Sequence, residues 1–334
     1  GTQGLMQNIN QSQTDSNDRI SIDQGMIKQI AKIMEKGSIG ELPYTFTGKG
    51  QPEIGHPNTL EFFFALTLQQ FGFWKKNNER YISPMIAKIG GRNRKGSDYI
   101  QFAYSRILDS DPDFFSINRQ ANLSKEELEM VLSDDEGKCP MPALELHLSE
   151  ARAYGQDMLD LGMTPIKIIH KTKASNTPMA DLLRILWNIG GYKNDPLQKK
   201  SALLAYILLH RPENFLQLGD SEEEIPCIDY HLMRTALRTG MVSIVDTDLQ
   251  QKIADREVVS KDEEYDIRHH VYNAINMLVD SSPNFNMVSV DQFLFRMRKG
   301  CPEMSEPDCK SCALDPVCAK QTQLFQPVIR TTYY

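Results

Sequence analysis

Four of the six cysteines fall within CPEMSEPDCKSCALDPVC, at Cys301, Cys309, Cys312 and Cys318. Thiols at this density can form two disulfides, hold a structural zinc ion or ligate an iron–sulfur cluster. No apolar run approaches the roughly 18 residues that a bilayer span needs. The opening GTQGLMQNINQSQTDSNDR has neither the basic start nor the apolar stretch of a secretory signal. A cytoplasmic protein is expected, and there clustered cysteines more often bind metal than pair as disulfides. The spacing C-x7-C-x2-C-x5-C offers one tight pair and no following histidine, unlike the paired ligands of zinc ribbons and fingers. Four thiolates in a compact loop suit a [4Fe-4S] cube, one cysteine to each iron, with zinc as the alternative. Cys139 and Cys227, each isolated, read as buried small hydrophobes.

A carboxylate stands upstream in IPCIDYHLMRTALRTG. Leu232, Met233, Ala236 and Leu237 recur at helical spacing after Pro226, so Asp229 falls at a helix entrance and Gly240 at its exit. There a carboxylate faces unpaired backbone N–H groups and the positive end of the macrodipole, which favours its ionised form. It could be a helix cap and nothing more. It could also stabilise positive charge developing on a sugar as a base departs, and orient or deprotonate the attacking water. His231 and Arg234 share the helix and could support such a site or make solvent and core contacts.

Together the two motifs resemble the helix-hairpin-helix DNA glycosylases of the endonuclease III type. The cysteine loop differs from that family's gaps of six, two and five by one residue in the first gap. Ile228, Asp229, His231, Leu232, Met233, Arg234, Arg238 and Gly240 match its Val-Asp-x-His-hydrophobic-x-Arg pattern and the glycine that follows. The resemblance implies a catalytic role for Asp229 and cluster ligation by the four cysteines. Bifunctional members add a lysine nucleophile and a Gly-rich hairpin that grips a DNA phosphate. The lysine would fall to Lys199, in WNIGGYKNDPLQKKSALLAYILLHRPENF. That stretch better resembles the family element before the hairpin, and RPENFLQLGDSEEE, where the hairpin should follow, is acidic and has no G-x-G. Monofunctional hydrolysis is the default.

The stretches HPNTLEFFFALTLQQFGFW, GRNRKGSDYIQFAYSRIL and LSKEELEMVLSDDEGKCPMPALELHLSEARAYG, with IDYHLMRTALRTG, are similar in layout to the queuosine salvage family. That likeness is diffuse, spans roughly residues 56 to 280, and implies a helical glycosylase-like body acting on a nucleotide. That family lacks the cysteine loop, but both families cleave N-glycosidic bonds. On the residues' own terms, Phe62, Phe63, Phe64, Phe71, Phe73 and Trp74 read first as core. A flipped base needs an apolar slot, for which Phe73 and Trp74 are rim candidates, with Asp98 and Tyr99 as readers of a base edge. The loop KIGGRNRKGSDY could place Arg92, Arg94 and Lys95 on phosphate or be a solvated turn. Basic residues also gather at Lys167, His170, Lys171 and Lys173, and at Arg296, Arg298 and Lys299. A net charge of -7 runs against a nucleic-acid binder, although much of the acid is concentrated in SKEELEMVLSDDEG and GDSEEE.

Helical periodicity recurs at 24–36, 59–72, 98–109, 124–133, 143–161, 179–189, 199–210, 229–239, 246–255, 261–280 and 289–298, with no sustained strand alternation. The expectation is an all-α, two-lobed fold ending in a cluster loop. Its parts are a disordered leader (1–20), a helical lobe with the aromatic base-pocket candidates (21–180), a catalytic lobe (181–300) and the cluster loop with its tail (301–334). The leading functional expectation is a monofunctional DNA glycosylase that excises a modified or damaged base, in repair or in restriction of phage DNA carrying hypermodified bases. Its partner is DNA, with no membrane and no protein partner. The alternatives are a queuosine 5′-phosphate N-glycosylase and a non-catalytic damage sensor.

Overall fold

The structure is a computed structural model that describes residues 19–37 and 44–334. Its centre is set by two segments too apolar to keep a wet face. TLEFFFALT forms a helix, Thr59–Thr67, of which only Glu61 is not buried, and KKSALLAYILLH forms another, Lys199–His210, buried on nearly every side. Such helices must lie inside. In chain order the helices are α1 (Gln24–Lys36), α2 (Thr59–Thr67), α3 (Gly96–Ser110), α4 (Ile117–Ala121), α5 (Lys125–Val131), α6 (Leu144–Asp160) and α7 (Pro165–Lys173). They continue with α8 (Pro178–Leu186), α9 (Lys199–His210), α10 (Tyr230–Thr239), α11 (Thr247–Ala254), α12 (Lys261–Asp280) and α13 (Met287–Arg296). None is long and apolar enough to cross a membrane.

The mostly helical expectation therefore holds, but all-α needs correction. Among the described residues, six short strands make three antiparallel pairs: β1 (Ile20–Ile22) with β6 (Val242–Ile244), β2 (Trp74–Asn77) with β3 (Arg80–Pro84), and β4 (Ile86–Ile89) with β5 (Arg92–Lys95). At three to five residues each, they are too short for alternation to register. Gly90 and Gly91, both at positive φ, make the tight turn between β4 and β5. Of the expected leader, residues 1–18 lie outside the described residues, while Ile20 is buried in β1 and paired with Ile244. β1 and α1 pack against β6 and α12, so the first described elements belong with the region carrying Asp229.

Close packing also depends on Gly155 in α6, where a Cβ would meet Ala121 N of α4 at 2.2 Å. A buried ion pair ties α12 to the segment that leads into α9. Arg268 of α12 forks onto both carboxylate oxygens of Asp195 at 2.6 and 2.9 Å and also donates to the Ile228 carbonyl at 3.1 and 3.0 Å. Burial alone would push the Asp195 carboxyl up, but the Arg268 charge and hydrogen bonds, with two backbone amides, outweigh it and hold it below its ordinary value. Asp195→Ala would strand a fully buried guanidinium, and we expect it to cost about 3–5 kcal/mol in denaturant unfolding. Because the folded carboxyl titrates below the unfolded one, the pair's contribution should be complete above the unfolded value. It should be lost only as pH falls through the folded one, so the wild-type-minus-variant stability gap should shrink in strong acid alone.

Candidate active site

Asp229 caps α10, with Oδ1 accepting the Leu232 amide at 3.0 Å. The extended stretch before it is fixed by Arg268 at Ile228, which aims the carboxylate into a cavity of about 370 Å³. Lys199, Asp291, His231 and Cys227 line the same cavity, with Phe63, Phe73 and Phe295 among its apolar walls. Asp98 lines it from the first turn of α3, and Arg296, Arg298 and Lys299 from the end of α13 onward. One wall, from Tyr44 to Gln51, is held by Arg211, whose guanidinium donates to the Phe46 and Pro52 carbonyls at 2.6 and 3.2 Å. The cavity lies within the size range of small-ligand sites, with apolar walls and a few convergent polar groups.

Of the residues singled out by sequence, Asp229, Lys199, Phe73, Asp98 and His231 therefore meet at one cavity. The basic residues Arg296, Arg298 and Lys299 join them, whereas Trp74, Tyr99, Arg234, Arg92, Arg94 and Lys95 lie elsewhere. Trp74 packs on Tyr81 beneath the Arg330 guanidinium, which sits 4.1 Å from its ring centre. Tyr99 is buried and donates its hydroxyl to the Leu132 carbonyl at 2.6 Å. Arg234 is behind His231, bonded to Gln326 Oε1 at 2.8 Å and to His231 Nδ1 at 3.1 Å. On β5, Lys95 pairs with buried Glu303 at 3.0 Å and Arg94 stacks 4.2 Å over the Phe102 ring, while Arg92 is exposed and does not line the cavity. The Gly90 and Gly91 amides, the natural anion nest of that hairpin, already hold the two Asp135 oxygens at 2.8 Å each.

The two lysines at the start of α9 divide the properties that a nucleophile needs. Burial pushes the Lys200 ammonium down to about 8, but Lys200 bonds the Leu68 carbonyl and does not line the cavity. Lys199 does line it, with Nζ donating to the Gln70 carbonyl at 2.8 Å.

Asp291 is the functional candidate that sequence reasoning missed. Burial, reinforced by the neighbouring Asp229 charge, pushes its carboxyl well above the ordinary range, against the opposing pull of Lys199. A lone aspartate in NMVSVDQFLF carries no sequence signal that it faces a cavity.

The six cysteines are free thiols. Cys301, Cys309, Cys312 and Cys318 are half-buried around one small second cavity, together with Arg238 and Thr239 at the end of α10. The Arg238 guanidinium lies 3.4 Å from Cys301 Sγ, and the Lys320 amide donates to Cys318 Sγ at 3.3 Å. These donors suit thiolates. The sulfurs stand apart: among the described residues the only three metal-capable groups within 4.8 Å of one another are Asp266, His269 and His270. A single tetrahedral zinc would need its sulfurs about 3.8 Å apart, from Zn–S bonds of roughly 2.3 Å.

No protein-family model matches this chain, and no curated protein does. The site is therefore read from its own geometry.

His231 shows how tightly that geometry is fixed. Arginine only donates, so the Arg234 contact leaves the lone pair on Nδ1 and the hydrogen on Nε2. Burial, with the positive charges of Arg234 and Arg298 nearby, holds its protonation well below the usual histidine range. The imidazole nitrogen shifts of His231 should therefore report a neutral Nε2–H ring unchanged between about pH 5 and 8. Arg234→Met should release that tautomer preference.

Proposed function

We propose that this protein is a monofunctional DNA glycosylase of two-lobed helical architecture that hydrolyses the N-glycosidic bond of a modified or damaged base. The observation that carries the reading is the Asp229 carboxylate at the head of α10, opening with His231 into an aromatic-walled cavity beside Arg296, Arg298 and Lys299. A flipped base would stack among Phe63, Phe73 and Phe295. Asp229 would stabilise the cationic sugar and take a proton from the attacking water, while the cations at 296–299 hold a flanking phosphate. The carbonyl-bound Lys199 amine fits hydrolysis better than a Schiff base.

The four-cysteine loop is read as the seat of a [4Fe-4S] cluster. Sulfurs gathered around one cavity yet too far apart for a shared zinc ion suit a cube in which each thiolate meets its own iron. Base hydrolysis needs no electron transfer, so the cluster would act as a cross-link holding residues 301–318 against α10.

One feature favours a mononucleotide substrate instead, such as queuosine 5′-phosphate. Residues 211–228 form no amide-rich hairpin for a DNA backbone, and two of their acids serve the protein itself: Glu222 accepts the Met179 and Ala180 amides, and Glu224 pairs with His210 at 2.6 Å. A sensor without catalysis has less support, because it would leave Asp229 with its capping bond alone although it lines the cavity.

Incubation with duplexes carrying alkylated, oxidised or hypermodified bases, and in parallel with queuosine 5′-phosphate, should give free base from DNA by mass spectrometry. Asp229→Asn should slow that release about 10³-fold. Release from the nucleotide alone would sink the DNA reading, and release from neither would favour the sensor. Replacing Arg296 and Lys299 by alanine should weaken DNA binding on every sequence and flatten its salt dependence by about one unit of slope for each phosphate no longer neutralised. For the loop, purified protein should carry about four irons and four sulfides per chain, and Cys309→Ser should lose the brown absorbance. One zinc per chain instead would replace the cluster assignment.

A further inference from the structure

The cavity holds a second carboxyl group for which base hydrolysis by Asp229 alone has no use. Asp291 lies on α13, whose Val288, Val290 and Leu294 are buried in the core, and its side chain lines the cavity that Asp229 and Lys199 line. Among the described residues, no hydrogen bond or ion pair reaches it. Asp291 is half-buried, and a carboxyl group drawn partly out of water without a donor is costly when ionised and tolerated when protonated. We propose that Asp291 is the general acid of the reaction, donating its proton to the departing base while Asp229 attends to the sugar and the water.

This assignment rests on the base-excision reading and adds to it the class of base. A neutral purine or pyrimidine leaves poorly as an anion; a base protonated on a ring nitrogen or exocyclic oxygen leaves as a neutral molecule. As the bond from C1′ to the base nitrogen breaks, its electron pair passes to the base, and the Asp291 proton neutralises the charge that develops there. Water adds to C1′ and loses its proton to Asp229. Solvent then returns one proton to Asp291 and removes one from Asp229, so the sum is water plus glycoside giving free base and sugar hydroxyl.

The surroundings keep the two carboxyl groups in different roles. Facing Asp291 are Asp229, Glu224, Cys227 and Tyr206, with Lys199 the nearby cation. Partial burial and the two acidic neighbours favour its protonated form, and Lys199 acts in the opposite sense. Asp229 instead accepts a helix amide. Two carboxyls in one cavity with unlike environments form the usual signature of an acid and base pair.

The test compares one duplex carrying 7-methylguanine, already cationic and able to leave without a proton, with another carrying neutral hypoxanthine. Asp291→Asn should slow hypoxanthine release about 100-fold and 7-methylguanine release less than about tenfold, whereas Asp229→Asn should slow both. The wild-type rate on hypoxanthine should fall as pH rises through the Asp291 titration, and that limb should be absent from the Asp291→Asn profile. Asp291→Glu, which restores a proton donor, should recover part of the hypoxanthine rate. Equal slowing of both bases by Asp291→Asn, no slowing of either, or wild-type release confined to 7-methylguanine would overturn the acid role. Wild-type release of neither base, with no release of any base in the wider substrate panel, would remove the base-excision reading itself.

Discussion

The cavity exists in its present form because Arg268 is satisfied in two directions at once. Its guanidinium grips Asp195, and Asp195 in turn accepts the amides of Leu197 and Lys199, which fixes the entrance to α9. The same guanidinium holds the Ile228 carbonyl and so the residue that precedes Asp229. One buried charge thus sets the relative position of the lysine and the carboxylate, two groups thirty residues apart in the chain. Desolvating such a pair is costly, and its net contribution to folding is small compared with the cost of breaking it. What it provides is register between two elements that are otherwise joined near the site by the Cys227 thiol on the Lys199 carbonyl at 3.5 Å and the Tyr206 hydroxyl on the Ile225 carbonyl at 2.6 Å.

The helices are legible in the sequence because their apolar residues repeat over several turns. The segments 24–36, 199–210 and 261–280 coincide with α1, α9 and α12 to the residue, helped by a side-chain cap at Asp23 and a capping box at Ser260 and Glu263. α4 spans only five residues, too few for a period to show, and α7 is masked because KIIHKTK reads first as a run of charge. Asp229 is readable because cap, helix and glycine exit occur together in one short stretch of chain. Asp291 is not, since the direction of one side chain depends on how α13 docks. Adjacency to Phe73 and Asp98 makes Trp74 and Tyr99 look like site residues, whereas successive residues on a strand or a helix point in different directions. The net charge averages over unlike regions: Glu213, Glu222 and Glu224 are occupied by internal partners, while the cavity edge at 296–299 is cationic.

The far end of α10 follows the same pattern of mutual satisfaction. Arg238 and Thr239 expose the carbonyls that a helix leaves unpaired, and the cysteine loop supplies the missing donors through the Ala319 and Gln321 amides at 3.0 and 2.9 Å. Gly240, at φ 89°, turns the chain away there, and a Cβ on it would lie 2.9 Å from the Ala319 methyl. Glu303, two residues beyond Cys301, reaches Tyr81 and Lys95, so the loop also braces the hairpin region leading into Asp98. A helix of ten residues, about 15 Å long, therefore has the carboxylate at one end and the thiols at the other.

That arrangement has a consequence for biosynthesis. During translation the Asp195, Asp229 and Arg268 segments emerge before any residue from Cys301 onward, so the ion pair can meet before the Tyr334 ring, 4.7 Å from the Arg268 guanidinium, arrives to cover it and before the C-terminal end of α10 gains its amide donors. The C-terminal end of α10 is thus the last part of that helix to be satisfied, by the Ala319 and Gln321 amides that close over it.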